Sequence, residues 1–494
     1  MALLFGKIEL ASIFLKNRRS VCATYPTPQE QLERFKKQFL QLDAQGIEDL
    51  LPTEPLQRLL KDAEEAVPHT LRQRIWTPLV TLLALIKQAL KHGSCSDAVK
   101  SVQTEQINCG QTRCSGNTSA YCQARQKLPE SLPRELIRYT GERLEAASRT
   151  HWSWRGHPVK LVDGSTLTLA DTCANQETYP QESNQQAGLG FPILRLEIVA
   201  SLNHGGLLGA EVAPYCGKGT GETALLRRLM ATTVQPHDIC LMDQYYDNFW
   251  TIAQFRERDA ELLCPMRSHR KIDWSQGVCL RGDSTDRLFE LKKPKRPEWM
   301  TPETYEALAD HITVRFFRIF GQTYMTTLVD AKHYRKNALR KLYRHRWQIE
   351  IDLLFIKKVM QMEPLRCKTP AMARKELTVC LLAYNLIRLL MLQAGIRHHV
   401  WPCRISFTEA LGSYKEFASS LAQTTGETLL NWINNVLEIV ASKTIGEREA
   451  RIEPRAVKRR PTNPFPYLSA PRAQVKEQLL AKRKGDQIMR CANV

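Results

Sequence analysis

The run YRHRWQIEIDLLFIKK at 343–358 constrains this chain most, because it spaces Tyr343, Arg346, Glu350 and Lys357 as Y-x2-R-x3-E-x6-K. In an α-helix, at about 100° per residue, these four side chains fall within an arc of roughly 60°. One helix face then presents a carboxylate flanked by two cations and a phenol. Trp347, Ile349, Leu353, Leu354 and Ile356 occupy the other faces and are expected to anchor the helix in a core. A solvated face with i,i+3 and i,i+4 ion pairs accounts for the same spacing. The functional alternative is a carboxylate held beside phosphate-binding groups, as metal-dependent cutting of a nucleic-acid backbone requires.

Two upstream acids favour the functional alternative. VKLVD ends at Asp163 before Gly164 and Ser165, and DICLMD ends at Asp243 before Gln244. Each reads as a buried strand that terminates in an aspartate. On neighbouring strands the two can point into one site, and Glu350 on a packing helix can supply a third carboxylate. Three converging acids repel one another unless divalent cations neutralise them, and Mg²⁺ takes carboxylate oxygens while keeping waters for substrate phosphates. Two such ions about 3.5–4 Å apart activate an attacking oxygen and stabilise a leaving one.

Charge agrees with a polyanionic partner. The 494 residues carry a formal charge of +19, which points to DNA or RNA, although a solvated basic surface gives the same number. With 43% hydrophobic and 24% charged residues the chain is expected to fold throughout most of its length. The apolar stretch LTVCLLAYNLIRLLMLQA from Leu377 contains Asn385 and Arg388 and reads as a core helix, so no membrane association is expected. The fourteen cysteines form no tight framework. Cys109, Cys114 and Cys122 lack a CxxC pair, which disfavours zinc. A cytoplasmic protein with reduced thiols is expected. GKGTGE at 217–222 is no P-loop, since Lys218 precedes the last glycine; no nucleotide cofactor is expected.

Periodicity divides the chain. Residues 1–130 read as helical, through Gln29–Leu42, Leu56–Glu65 and Leu71–His92, with Pro78 kinking or restarting the third. Ser94–Gln106 and Asn117–Leu128 follow as a helix-turn-helix-like pair. Ser119, Tyr121, Gln123, Arg125 and Lys127 would face DNA there, though any two short amphipathic helices look alike. LPESLP at 128–133 suggests a linker. Residues 131–267 hold strands, including a hairpin of 191–201 with 207–215, a helix at 221–230, another through Phe249–Arg258, and a strand at 261–267. Residues 268–330 read as a β-like insertion. Its Trp299 and Tyr324 could stack on a base, although aromatics there are more often core. His269, with Arg267, Arg270 and Lys271, is a backbone-contacting cluster or a solvated loop. Helices follow at 334–361 and 371–395 within 331–400, then a helical 401–442. A basic tail at 443–494, with RAVKRRPTNPFPYL, reads as extended. Asp171 and Glu197 read as structural acids.

DGSTLTLADTCANQETYPQ (163–181), GLGFPILRLEIVASL (188–202), GKGTGE, LMDQYYDNFW (241–250), YRHRWQIEIDLLFIKK, LRCKTP (365–370) and LLAYNLIR (381–388) together resemble bacterial insertion-sequence DDE transposases of the insertion-sequence-four family. The resemblance implies an α/β fold: an RNase H-like mixed-sheet catalytic core, a β-rich insertion, a helical N-terminal DNA-binding domain and a helical C-terminal region. It implies Asp163, Asp243 and Glu350 as catalytic, metal-binding acids for two Mg²⁺, with Mn²⁺ able to substitute. Tyr343, Arg346 and Lys357 would hold phosphates. It further implies double-stranded DNA partners (element ends and target), a hairpin intermediate, a homodimer on paired ends and a place at the bacterial nucleoid. Gln244 departs from the arginine usual after the second aspartate, which leaves open an inactive end-binding repressor. A nuclease with the same core is the other alternative.

Overall fold

The computed structural model describes residues 75–108, 113–421, 427–446, 468 and 470–492. The expected helices at 29–42 and 56–65, and the tail segment 455–467, lie outside them. Helices α1 (Pro78–Lys91), α2 (Cys95–Asn108), α3 (Ser119–Lys127) and α4 (Ser131–Trp152) open the described chain. Pro78 starts α1 afresh, and Thr77 caps it by accepting from the Val80 amide at 3.3 Å. The anticipated linker at 128–133 is instead packed. Leu128 and Leu132 are buried, and Glu130 accepts from Arg374 at 2.9 Å. Proline marks a helix start there because the flanking leucines have a core to enter.

Among the described residues, nine strands form one sheet in the order β3-β2-β1-β4-β5-β9-β8-β7-β6. They are β1 (Val159–Thr168), β2 (Ile193–Ser201), β3 (Leu207–Pro214), β4 (Ile239–Leu241), β5 (Glu261–Pro265), β6 (Val278–Leu280), β7 (Asp283–Lys292), β8 (His311–Ile319) and β9 (Gln322–Thr326). The hairpin expected at 191–215 is β2–β3. Strands β1, β4 and β5 run parallel to one another, while β2, β3 and β9 are antiparallel to their neighbours. The segment 268–330 therefore does not stand apart. Its strands continue the sheet, because β9 pairs with β5, Leu263 opposite Thr326.

Side-chain alternation splits the core into two layers. Leu161, Leu241 and Leu263 enter one, and Val162, Met242 and Leu262 the other. The second layer is closed by α5 (Glu222–Thr233) and α6 (Phe249–Arg256). The first is closed by α1–α4 and by α7 (Lys336–Tyr343), α8 (Gln348–Leu354) and α9 (Pro370–His398). Helix α9 is long and apolar enough to cross a membrane, yet 89% of its most apolar window is buried inside the protein. Helices α10 (Phe407–Leu421) and α11 (Glu427–Ser442) pack on it. The tail is partly helical rather than extended: α12 spans Arg472–Ala492, a run rich in Ala, Gln, Lys, Arg and Leu, all good helix formers.

The two polar residues of the apolar stretch explain why it lies in a protein core. Asn385 accepts from the Leu207 amide at 2.8 Å and donates to the Leu207 carbonyl at 2.9 Å, pairing α9 with the start of β3. Arg388 forms a fully buried ion pair with Asp352 of α8 and donates to the Tyr384 hydroxyl at 2.7 Å. Removing one member of such a pair strands the other charge. Arg388→Met is expected to cost about 3–5 kcal/mol in urea unfolding, and the Asp352→Leu/Arg388→Met double variant clearly less. Equal losses in both variants would show that packing, rather than the stranded carboxylate, dominates.

Candidate active site

The pairing of β1 with β4 brings two of the acids together. Leu161 lies opposite Leu241 in parallel register. Asp163 and Asp243 each follow two residues later, so both point to the same side of the sheet as those leucines. Parallel neighbours are about 4.8 Å apart. Asp243 sits where β4 ends and caps a 3₁₀ turn, Gln244–Tyr246, by accepting from the Tyr245 amide at 2.7 Å. Asp163, expected at a strand end, is instead in mid-strand. β1 continues to Thr168 because Gly164–Thr168 find partners in β2, from Glu197 to Ile193. Pairing overrides the Gly-Ser turn signal.

Glu350 arrives from the helical layer on the same side. Ile349 and Leu353 of α8, and Ile356 beyond it, are buried in the core that holds Leu161 and Leu241. The signature does not lie on one uninterrupted helix. Tyr343 ends α7, Arg346 lies in a 3₁₀ turn (Arg344–Trp347), Glu350 in α8, and Lys357 in a π segment (Phe355–Val359). Trp347 and Leu354 are exposed, at 60% and 53%, so neither is the anchor expected of it; at about 100° per residue both fall on the side opposite Ile349 and Ile356.

Arg346 ties the acids together. Its Nη1 stands 3.6 Å from Asp163 Oδ2, and its Nη2 pairs with Glu350 Oε1. Burial pushes the Asp163 carboxyl up to about 6. Arg346 and the Gly164 amide oppose that rise, and Asp243 and Glu350 add to it. Asp243 and Glu350 are thus both within electrostatic reach of Asp163. Among the described residues, no three acid, His or Cys side chains stand close enough to hold one metal ion. The donor set is nonetheless all carboxylate, the chemistry a hard divalent cation takes, and its counter-charge in this structure is a guanidinium. The residues therefore fit such an ion by donor type.

The other signature residues brace this centre. The Tyr343 hydroxyl donates to the Met242 carbonyl at 3.1 Å, one residue before Asp243, and burial pushes its phenol up. Lys357 donates to the Thr166 carbonyl at 2.8 Å and pairs with Glu363 at 3.1 Å. Sequence reasoning missed the support behind the strand. Glu222 pairs with Arg195 at 3.0 Å and crosses over Gly164, where a Cβ would come within 2.6 Å of it. Glu197 is fully buried and accepts from the Tyr246 hydroxyl at 2.5 Å. Only the register between strands reveals these contacts.

Several candidates lie elsewhere. Arg125, expected to face DNA, is nine-tenths buried and donates to Cys95 and Cys367 sulfurs, because its face of α3, with Tyr121, turns inward. Lys127, Ser119 and Gln123 remain exposed. Trp299 is half-exposed with the Arg227 guanidinium 3.8 Å above its ring. Tyr324 is core, stacked on Phe317 at 5.2 Å and edge-on to Tyr343. Arg267 and Arg270 are held by Tyr245 and the buried Asp247, so that cluster is no free loop.

A family model described as transposase DDE domain matches residues 154–386, a span containing all three acids. The chain is also 26% identical over 372 residues to transposase InsG for insertion sequence element IS4 of Escherichia coli (strain K12), covering 72% of this chain and 78% of that one. Residues 154–386 are thus similar to the DDE domain of transposases. A looser likeness links it to the piggyBac transposase synaptic complex with hairpin DNA, at TM-score 0.41 and 9% identity over 84% of this chain and 87% of that one. DDE transposases use divalent metal ions.

The strain on Asp163 is measurable. Its carboxyl holds a proton up to about 6 when folded, against 3.8 when free. The folded state thus binds the extra proton, and stability falls as pH rises from about 4 through 6. In chelator, Asp163→Asn should be more stable than the parent at pH 7 by on the order of 2 kcal/mol and equal to it near pH 4. A less stable variant at pH 7 would show that Arg346 outweighs the neighbouring acids.

Proposed function

We propose that this transposase binds the terminal inverted repeats of an insertion sequence, cleaves the DNA at Asp163, Asp243 and Glu350, and joins the freed 3′ ends to target DNA. The observation that carries this reading is the Arg346 guanidinium joined to both Asp163 and Glu350, beside an Asp243 brought into line by strand register. An RNase H-like core is supported by the order β3-β2-β1-β4-β5, with β1, β4 and β5 parallel. Residues 268–330 would be the β-rich insertion of that core, and residues 1–130 the end-binding region.

Asp163, Asp243 and Glu350 would hold two Mg²⁺, which supply Lewis-acid activation of the attacking oxygen and stabilisation of the leaving one. Arg346, which bridges Asp163 and Glu350, would hold a DNA phosphate, since a guanidinium suits phosphate geometry. Lys357, fixed by Thr166 and Glu363, presents a second cation. Tyr343 holds the end of β4, and hence Asp243, in place through the Met242 carbonyl. In the proposed sequence water makes the first nick, the new 3′-OH attacks the opposite strand to close a hairpin, and the hairpin reopens before strand transfer.

Gln244 favours a second reading, a repressor that binds ends without cutting. Its side chain is exposed. Incubation of the purified protein with element-end DNA and Mg²⁺ is expected to release hairpin-ended products. Asp163→Ala, Asp243→Ala and Glu350→Ala should each lower their yield at least ~100-fold without loss of end binding. Binding without any nick by the parent protein would instead establish the repressor. We also expect two protomers per paired-end DNA in sedimentation, with α10 and α11 at the contact; one protomer per DNA would exclude the dimer.

A further inference from the structure

Away from the acids, the helical layer encloses a cation whose partners are sulfur. Arg125 donates through Nη1 to Cys95 Sγ at 2.9 Å and through Nη2 to Cys367 Sγ at 3.5 Å, and it lies over the Tyr121 ring. Its buried Nε has no hydrogen-bond acceptor. The groups that hold its charge are Tyr121, Cys367, Cys95 and Cys122, with no carboxylate among them. A buried guanidinium in that company is poorly neutralised and draws negative charge toward it.

Cys95 receives this field twice over. It is the first residue of α2, directly after Ser94, whose Oγ accepts from the Asp97 amide at 3.2 Å. The positive end of the helix dipole and the Arg125 guanidinium therefore both act on its sulfur, the surroundings that activate cysteine nucleophiles. Cys122, nearly a turn before Arg125 on α3, shares a side-chain hydrogen bond with Cys95. Burial pushes the Cys122 thiol up, and the Cys367 thiol up to about 12. Cys95 and Arg125 border a cleft of about 260 Å³, together with His92 and Arg366.

We propose that Cys95 is a nucleophilic thiol open to oxidising electrophiles such as hydrogen peroxide, with Cys122 as its resolving partner. The Cys95 sulfur attacks a peroxide oxygen and the O–O bond breaks. Hydroxide leaves and takes up the thiol proton as water, leaving a sulfenic acid. The Cys122 sulfur then attacks the Cys95 sulfur, the S–O bond breaks, and a second water departs with the Cys122 proton. Two thiols lose two electrons to one peroxide, and the disulfide staples α2 to α3.

The exposed cysteines supply the control. Cys173, Cys216 and Cys279 are more accessible than the half-buried Cys95, so exposure alone predicts that they react first. With the reduced full-length protein and limiting iodoacetamide, peptide mapping is expected to show Cys95 alkylated about tenfold faster than those three. Peroxide should then yield a cross-linked Cys95–Cys122 peptide. Cys122→Ser should instead leave a Cys95 sulfenic acid that dimedone traps. Faster labelling of the exposed thiols, or no 95–122 cross-link in the parent protein, would overturn the assignment. The test involves no DNA, so its failure leaves the transposase reading untouched.

Discussion

Like charges gathered at one end of a sheet must be neutralised, and the arrangement of this protein around Asp163 follows from that requirement. Parallel pairing of β1 and β4 leaves two aspartates side by side, and α8 adds a third acid. Arg346 offsets the repulsion from a position between Asp163 and Glu350. Burial holds the Asp163 carboxyl up at about 6 despite that guanidinium, and Asp243 and Glu350 add to the rise.

The surrounding packing keeps the acids from relaxing apart. Asp352, two residues after Glu350, is bound to Arg388 in the centre of α9, and Phe355 stacks on Phe407 at 4.8 Å. These contacts fix the helix that delivers Glu350. On the far side of the sheet, Tyr246 reaches from the turn after Asp243 to Glu197, opposite Gly164 in β2. The two strand positions are thereby tied across the sheet without any contact to the reacting groups.

Much of this was legible in the residues themselves. The strand runs before Asp163 and Asp243, the β2–β3 hairpin, the core character of 377–394 and the Y-x2-R-x3-E-x6-K spacing all follow from local periodicity and turn chemistry. Misreadings arose where a neighbour distant in sequence decided the outcome. Arg125 looked like a surface cation until α3 was packed against α1 and α9. LPESLP looked like a linker because its leucines had no visible core. Trp347 is apolar, yet helical spacing puts it on the side opposite Ile349 and Ile356, and it is exposed.

The sequence by itself determined which chemistry was available: three acids, two signature cations and a phenol, at spacings that local structure can place on common faces. Tertiary structure decided where each charge went. It set the β1–β4 register that aligns Asp163 with Asp243, seated Arg346 between carboxylates, and turned Arg125 inward onto sulfur. The division has a physical cause. Periodicity is a property of neighbours along the chain, while burial and charge pairing depend on which distant segments share the same low-dielectric space.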